Sequence, residues 1–188
     1  SYKSAPIEAR EKLAFSSGEI SEALAEITKL KGINEAVILS TYNRTEIYVD
    51  ANTDRMGLES LESFVKARLG VDELDRGAFC VERSTDAARH LFRVVCSLES
   101  MVLGEAQILG QTKRAFEPAV AAGACGDVLS RLFKSAISLG KRVRTETAIG
   151  SDSVSLSTTA FRRPSSSSPI WRAAGSWCWA QARWPAWR

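Results

Sequence analysis

Ala36-Val-Ile-Leu39, running into Ser40-Thr-Tyr-Asn-Arg-Thr-Glu-Ile-Tyr48, is the stretch on which the fold and function of this chain turn. Four consecutive apolar residues read as a strand that stops at a run of polar groups. From 45 to 49 an alternating pattern predicts a second strand leading away. A tight polar corner between two strands is a place where a rigid scaffold can hold reactive side chains.

Outward from this corner the pattern is mostly helical. Ser4-Ala-Pro6 reads as a helix start leading through Ile7, Leu13 and Phe15. Ile20, Leu24, Ile27 and Leu30 predict a helix over about 19–31 that stops at Gly32. After the corner, a helix capped near Asp54 uses Leu58, Leu61, Val65 and Leu69 and ends at Gly70. Residues 78–82 read as a further strand, and Ser84 as the cap of a helix through Ala88, Leu91, Phe92 and Val95. A small-residue loop at 97–104 precedes a helix over about 105–122, and Asp127 caps a long helix reaching about Thr147. The fold class is therefore α+β: a small mixed or antiparallel sheet packed with several helices, followed by a long helix and an irregular tail. The expected organisation is a domain at 1–147, a linker at 148–160 and an aberrant tail at 161–188.

Composition supports that division. From Ser153 onward there is no Asp, Glu or Lys but there are five Arg; without them the chain carries 20 basic against 22 acidic residues. The net charge of +3 thus says nothing about the folded part. All five Trp lie between Trp171 and Trp187. The four Cys have no CxxC spacing and there is one His, which leaves little for a metal site. A reducing, intracellular compartment is expected, and no apolar run approaches the ~20 residues of a membrane span. The chain opens without Met, a basic n-region or an apolar h-region, so no signal peptide is expected. It is expected to begin inside a domain whose first strand is missing.

The tail also reads as a shifted frame. With an AGY codon at Ser176 and an AGR codon at Arg183, the codons from Gly175 to Pro185 read two bases on give Leu-Val-Leu-Gly, and permit Ala-Gly-Lys-Met-Ala after it. That is a buried strand entering a G-x-G loop, the opening of a dinucleotide-binding unit. The alternative is an Arg/Trp-rich tail that touches nucleic acid or membrane.

Four segments carry a family resemblance: Ser1-Tyr-Lys-Ser-Ala-Pro-Ile-Glu-Ala-Arg-Glu11, Leu39-Ser-Thr-Tyr-Asn-Arg-Thr-Glu-Ile-Tyr48, Glu99-Ser-Met-Val-Leu-Gly-Glu-Ala-Gln-Ile-Leu-Gly-Gln111 and Gly140-Lys-Arg-Val-Arg-Thr-Glu-Thr147. Over about 1–158 the chain resembles the N-terminal catalytic domain of glutamyl-tRNA reductase, the NADPH-dependent enzyme that starts tetrapyrrole synthesis. In that family a Cys at the corner attacks the ester joining glutamate to tRNA, and hydride from NADPH releases glutamate-1-semialdehyde.

The family's Cys falls on Tyr42 here. A phenol is largely protonated at neutral pH and is a poor acyl acceptor, so the resemblance implies an impaired enzyme. Tyr2 and Ser97 are two further departures, at positions where the family usually has His and Gly. By resemblance, His90 assists the chemistry, and Thr41, Asn43, Arg44, Ser100, Glu105, Ala106, Gln107 and Gln111 line the glutamate pocket. An Arg at 44 suits a bidentate pair with a glutamyl carboxylate. Arg131, Lys134, Lys141, Arg142 and Arg144 are candidates for tRNA phosphates, with a solvated helix face as the alternative.

The resemblance further implies glutamyl-tRNA as partner, no membrane, and a cytoplasmic location, or the plastid stroma in a plant. The family is homodimeric and NADPH-dependent. Its dimerisation region and its cofactor domain are expected to be missing from this chain. The rival reading from another class is a binding module, a pseudoenzyme that holds glutamyl-tRNA, or a partner of the pathway, without turnover.

Overall fold

The computed structural model describes residues 12–16, 18–74 and 79–150, all within the unit Ser1–Ser153. Helix α1 (Glu19–Ile27) leads to strands β1 (Ile33–Ser40) and β2 (Thr45–Ala51). Helices α2 (Asp54–Leu69), α3 (Ser84–Val95), α4 (Gln107–Ala121) and α5 (Asp127–Glu146) follow, then a 3-10 turn at Ala148–Gly150. An antiparallel sheet packed with helices, with the longest helix last, is the α+β class that the sequence predicts.

β1 and β2 pair antiparallel from Ile33↔Ala51 to Ser40↔Thr45, with an irregularity between Ile33 and Glu35. Ala36, Val37, Ile38 and Leu39 are completely buried. Both faces of β1 are covered, which is why it reads as a continuous apolar run and not as an alternation. α4 and α5 pack on the hairpin through Phe133, which is fully buried. The Tyr48 ring meets it edge-on at 5.3 Å and the Phe116 ring stacks on it at 5.7 Å. Where α3 approaches α5, a Cβ on Gly140 would stand 2.5 Å from Val95 Cγ1. Only glycine permits that crossing.

Glu35 ties the start of the hairpin to the start of α5. Its carboxylate accepts from Val128 N at 3.1 Å and from Leu129 N at 2.8 Å. α5 has no side-chain cap of its own, so a residue 93 positions earlier satisfies its free N–H groups and meets the positive end of its dipole.

Several boundaries differ from expectation. α1 stops at Ile27, where Thr28 turns its hydroxyl back onto Leu24 O at 2.9 Å. Such bonding competes with helix propagation, and turns carry the chain to Gly32, whose φ of 81° favours glycine. α2 is capped by Thr53, whose Oγ1 accepts from Met56 N, and it ends at Gly70 as predicted. α3 is preceded by Arg83, with no side-chain cap; Ser84 is its first residue and not its cap. α4 begins at Gln107, two residues later than expected.

The strand predicted at 78–82 is a correction: residues 79–83 are irregular and Val81 is 53% exposed. Among the described residues there is no third strand to pair with it, and an apolar run without a ladder is not a strand. The helix predicted from Ser4 lies outside the described residues except for Lys12 and Leu13, which are helical. The shifted-frame tail lies outside them too.

Candidate active site

The corner between β1 and β2 is closed by Thr41. Its backbone N donates to Arg44 O at 2.8 Å, and its hydroxyl also donates there at 3.2 Å. The same hydroxyl accepts from Asn43 N at 3.3 Å and Arg44 N at 3.2 Å. One threonine therefore folds the turn and points its middle residue outward. Tyr42 is 71% exposed.

Arg44 turns the other way and is buried, 3% exposed. Its Nη1 donates to Glu46 Oε1 at 2.9 Å. Glu46 also accepts from His90 Nε2 at 2.9 Å and from the Tyr48 hydroxyl at 2.6 Å. Alternation puts Glu46 and Tyr48 on the same face of β2, with Arg44 just before it, while α3 supplies His90. Glu46 is the hub that the sequence reading missed, and the alternation Arg44-x-Glu46-x-Tyr48 was the signal available for it.

Burial pushes the Glu46 carboxyl up, but the His90 hydrogen bond, the Arg44 charge and the Tyr48 hydroxyl together outweigh it, so Glu46 titrates below its ordinary value. The hydrogen bond to Glu46 raises His90, against the opposing effects of burial and of Arg44. Burial, and then the Glu46 charge, push the Tyr48 phenol well up. The Glu46 hydrogen bond thus favours the protonated form of His90. With His90 charged, Arg44, His90 and Arg93 outnumber Glu46 and Glu99, an environment that suits an anionic ligand.

A loop joins this cluster from the far side. Arg44 Nη2 donates to the Glu99 carbonyl, and Arg93 Nε donates to the Glu99 carboxylate at 2.7 Å. At the loop's base, buried Ser97 sits at φ 63°, a left-handed conformation costing a non-glycine residue about 1–2 kcal/mol. Its hydroxyl donates to Glu105 O at 2.7 Å and accepts from Arg144 Nη2 at 2.9 Å. The departure noted at Ser97 therefore falls where the backbone favours glycine, and its hydroxyl bonds offset the strain.

The structure brings Arg44 and His90 together at Glu46, with Thr41 and Asn43 in the turn just before Arg44. Ser100 is half-buried on the loop beyond Glu99, and Glu105 is half-buried at the loop's end. Ala106 and Gln107 are exposed and Gln111 is half-buried, at the start of α4. None of these five hydrogen-bonds to Arg44, Glu46 or His90 through its side chain among the described contacts. Burial raises the thiols of Cys80, Cys96 and Cys125, away from the thiolate form. Of the basic candidates, Arg142 pairs with Glu146 at 3.2 Å and Arg144 turns into the loop. Lys134 and Lys141 line a groove with Lys113, floored by Phe116 and Ile137.

Among the described residues no group of three or more His, Cys, Asp or Glu is placed to hold a metal. Among them, too, no helix is long and apolar enough to cross a membrane. The described sheet is a two-stranded antiparallel hairpin. It is not the parallel βαβ unit that cradles a dinucleotide.

A hairpin corner set over an Arg–Glu–His cluster, and braced by a pinned loop, is what this α+β domain builds from its sequence motif. Residues 1–147 match the family described as "Glutamyl-tRNAGlu reductase, N-terminal domain". The chain is 48% identical over 157 residues to glutamyl-tRNA reductase of Shouchella clausii, covering 83% of this chain and 35% of that protein. It is 43% identical over 157 residues to the Bacillus subtilis reductase, covering 83% and 34%. The solved glutamyl-tRNA reductase from Methanopyrus kandleri superposes with a TM-score of 0.68 at 36% identity, over 85% of this chain and 36% of that one. This chain belongs to the glutamyl-tRNA reductase N-terminal domain family, and it spans about a third of the length of the relatives it matches.

Proposed function

We propose that this chain recognises the glutamyl end of glutamyl-tRNA at the β1–β2 corner, and that it forms no thioester because Tyr42 stands where the family carries its nucleophilic Cys. The observation that carries the reading is the Arg44–Glu46–His90 cluster directly behind an outward-pointing residue 42. Arg44 donates to Glu46 and the Glu99 carbonyl, and a ligand carboxylate would compete with these two acceptors for its fork of five N–H donors. Protonated His90 would polarise the ester carbonyl or return a proton to a leaving oxygen.

In the whole family protein the reaction continues with NADPH to glutamate-1-semialdehyde, for tetrapyrrole synthesis. We assign that step to a region outside 1–147, with 148–160 as linker and 161–188 standing in place of the cofactor domain. A cytoplasmic location, or the plastid stroma in a plant, and dimerisation through a region outside this chain belong to the same reading.

The test is Tyr42→Cys with glutamate α-methyl ester, a small probe that needs no RNA. The variant should gain a covalent glutamyl adduct by mass spectrometry, or measurable ester hydrolysis, which the parent chain lacks. If neither appears while the parent still binds the ester, the enzyme reading of this domain fails. The exposed Tyr42 then favours the second reading, a non-catalytic binder of glutamyl-tRNA.

A further inference from the structure

The loop at 97–105 begins and ends at one point, and a residue of the last helix holds both ends. Ser97 Oγ bonds the Glu105 carbonyl at 2.7 Å, and Arg144 Nη2 donates both to that hydroxyl, at 2.9 Å, and to that carbonyl. The guanidinium is drawn so far in that its Nε is buried without a hydrogen-bond partner among the described residues. From this closed base the loop reaches forward to Arg44 through the Glu99 carbonyl. Arg44 in turn bonds Glu46, and Glu46 bonds His90.

We propose that Arg144 is a positioning residue: acting through Ser97, it sets where loop 97–105 stands against the Arg44–Glu46–His90 cluster. α5 does not depend on it for packing, because Leu129, Phe133, Ala136 and Gly140 make the buried face. Arg144 lies in its last turn, 39 residues from the loop end that it grips. Losing it leaves the loop its second anchor, Arg44, so the loop shifts without unfolding the domain. The consequence for ligand affinity rests on the glutamyl reading of the corner; the positioning itself does not.

The test uses the full chain with Arg144→Gln, Arg144→Lys and Ser97→Gly. Amide exchange at Leu98 and Glu105, the NMR titration midpoint of His90, and binding of glutamate α-methyl ester are followed together. Arg144→Gln should speed exchange at Glu105 about tenfold, move the His90 midpoint and weaken ester binding about tenfold. Arg144→Lys should recover part of each. Ser97→Gly relieves the backbone while removing the hydroxyl, so it should keep the fold and still reproduce the His90 shift. Unchanged loop exchange together with an unchanged His90 midpoint overturns the proposal. So does a uniform loss of protection across the domain, which marks a merely structural residue. If the parent chain does not bind the ester, the glutamyl reading falls, and the exchange and titration results still decide for or against Arg144.

Discussion

Glu46 and His90 stand 2.9 Å apart, oxygen to nitrogen, across 44 residues of sequence. Each alters the other's titration: the carboxyl is lowered and the imidazole raised. The Glu46 contribution is present above its ordinary value of 4.5 and is lost as pH falls through its lowered value. The His90 contribution is fully present below 6.5 and is lost as pH rises through its raised value. The domain should therefore gain most from the pair between those two ordinary values. In urea unfolding, His90→Gln should be least stable relative to the parent in that window, with the gap narrowing above neutrality. A constant difference across pH would refute the coupling.

Arg44 makes the second prediction. Removing one partner of a buried ion pair strands the other, at a cost of about 3–5 kcal/mol. Because Glu46 is still served by His90 and Tyr48, Arg44→Gln should fall at the lower end, about 3 kcal/mol by chemical denaturation. It should also abolish ester binding. Tyr42→Ala, at an exposed position, should change stability by no more than about 0.5 kcal/mol.

Glu35 offers a test of the long-range helix cap. Glu35→Gln keeps shape but loses the charge facing Val128 N and Leu129 N, and should cost about 1–3 kcal/mol. Gly126→Ala should be destabilising for a complementary reason, since its Cβ would sit 2.5 Å from Glu35 Oε1. Combining the two should cost less than their sum, because both act on one contact.

The groove between α4 and α5 gives a salt-dependence prediction. If Lys113, Lys134 and Lys141 meet RNA phosphates, replacing all three with Gln should weaken tRNA binding and lower its log–log salt slope by about 2–3. An unchanged slope would return these lysines to an ordinary solvated face.

Much of the architecture was legible because local signals agree with it. The apolar run at 36–39, the helical spacing of Leu61 and Val65, and Gly70 beyond a helix end each state their structure locally. The strand expected at 78–82 failed because strand formation depends on a partner, which a short apolar run does not reveal. In the site, the corner residues were legible as a motif. Glu46 was hidden in plain alternation, and its partnership with His90 depends on how α3 crosses the sheet. In the sequence Arg144 is one charge among several; its inward turn depends on Ser97 in another part of the chain.

The bridge from Glu35 to α5 also has a consequence for how the protein is made. The apolar β1 strand leaves the ribosome about ninety residues before the helix that Glu35 caps. At ~5–20 residues per second that is roughly 5–20 s. Through that interval the nascent hairpin lacks its α5 cover, so the apolar β1 strand is the segment that a chaperone would have to shield during synthesis.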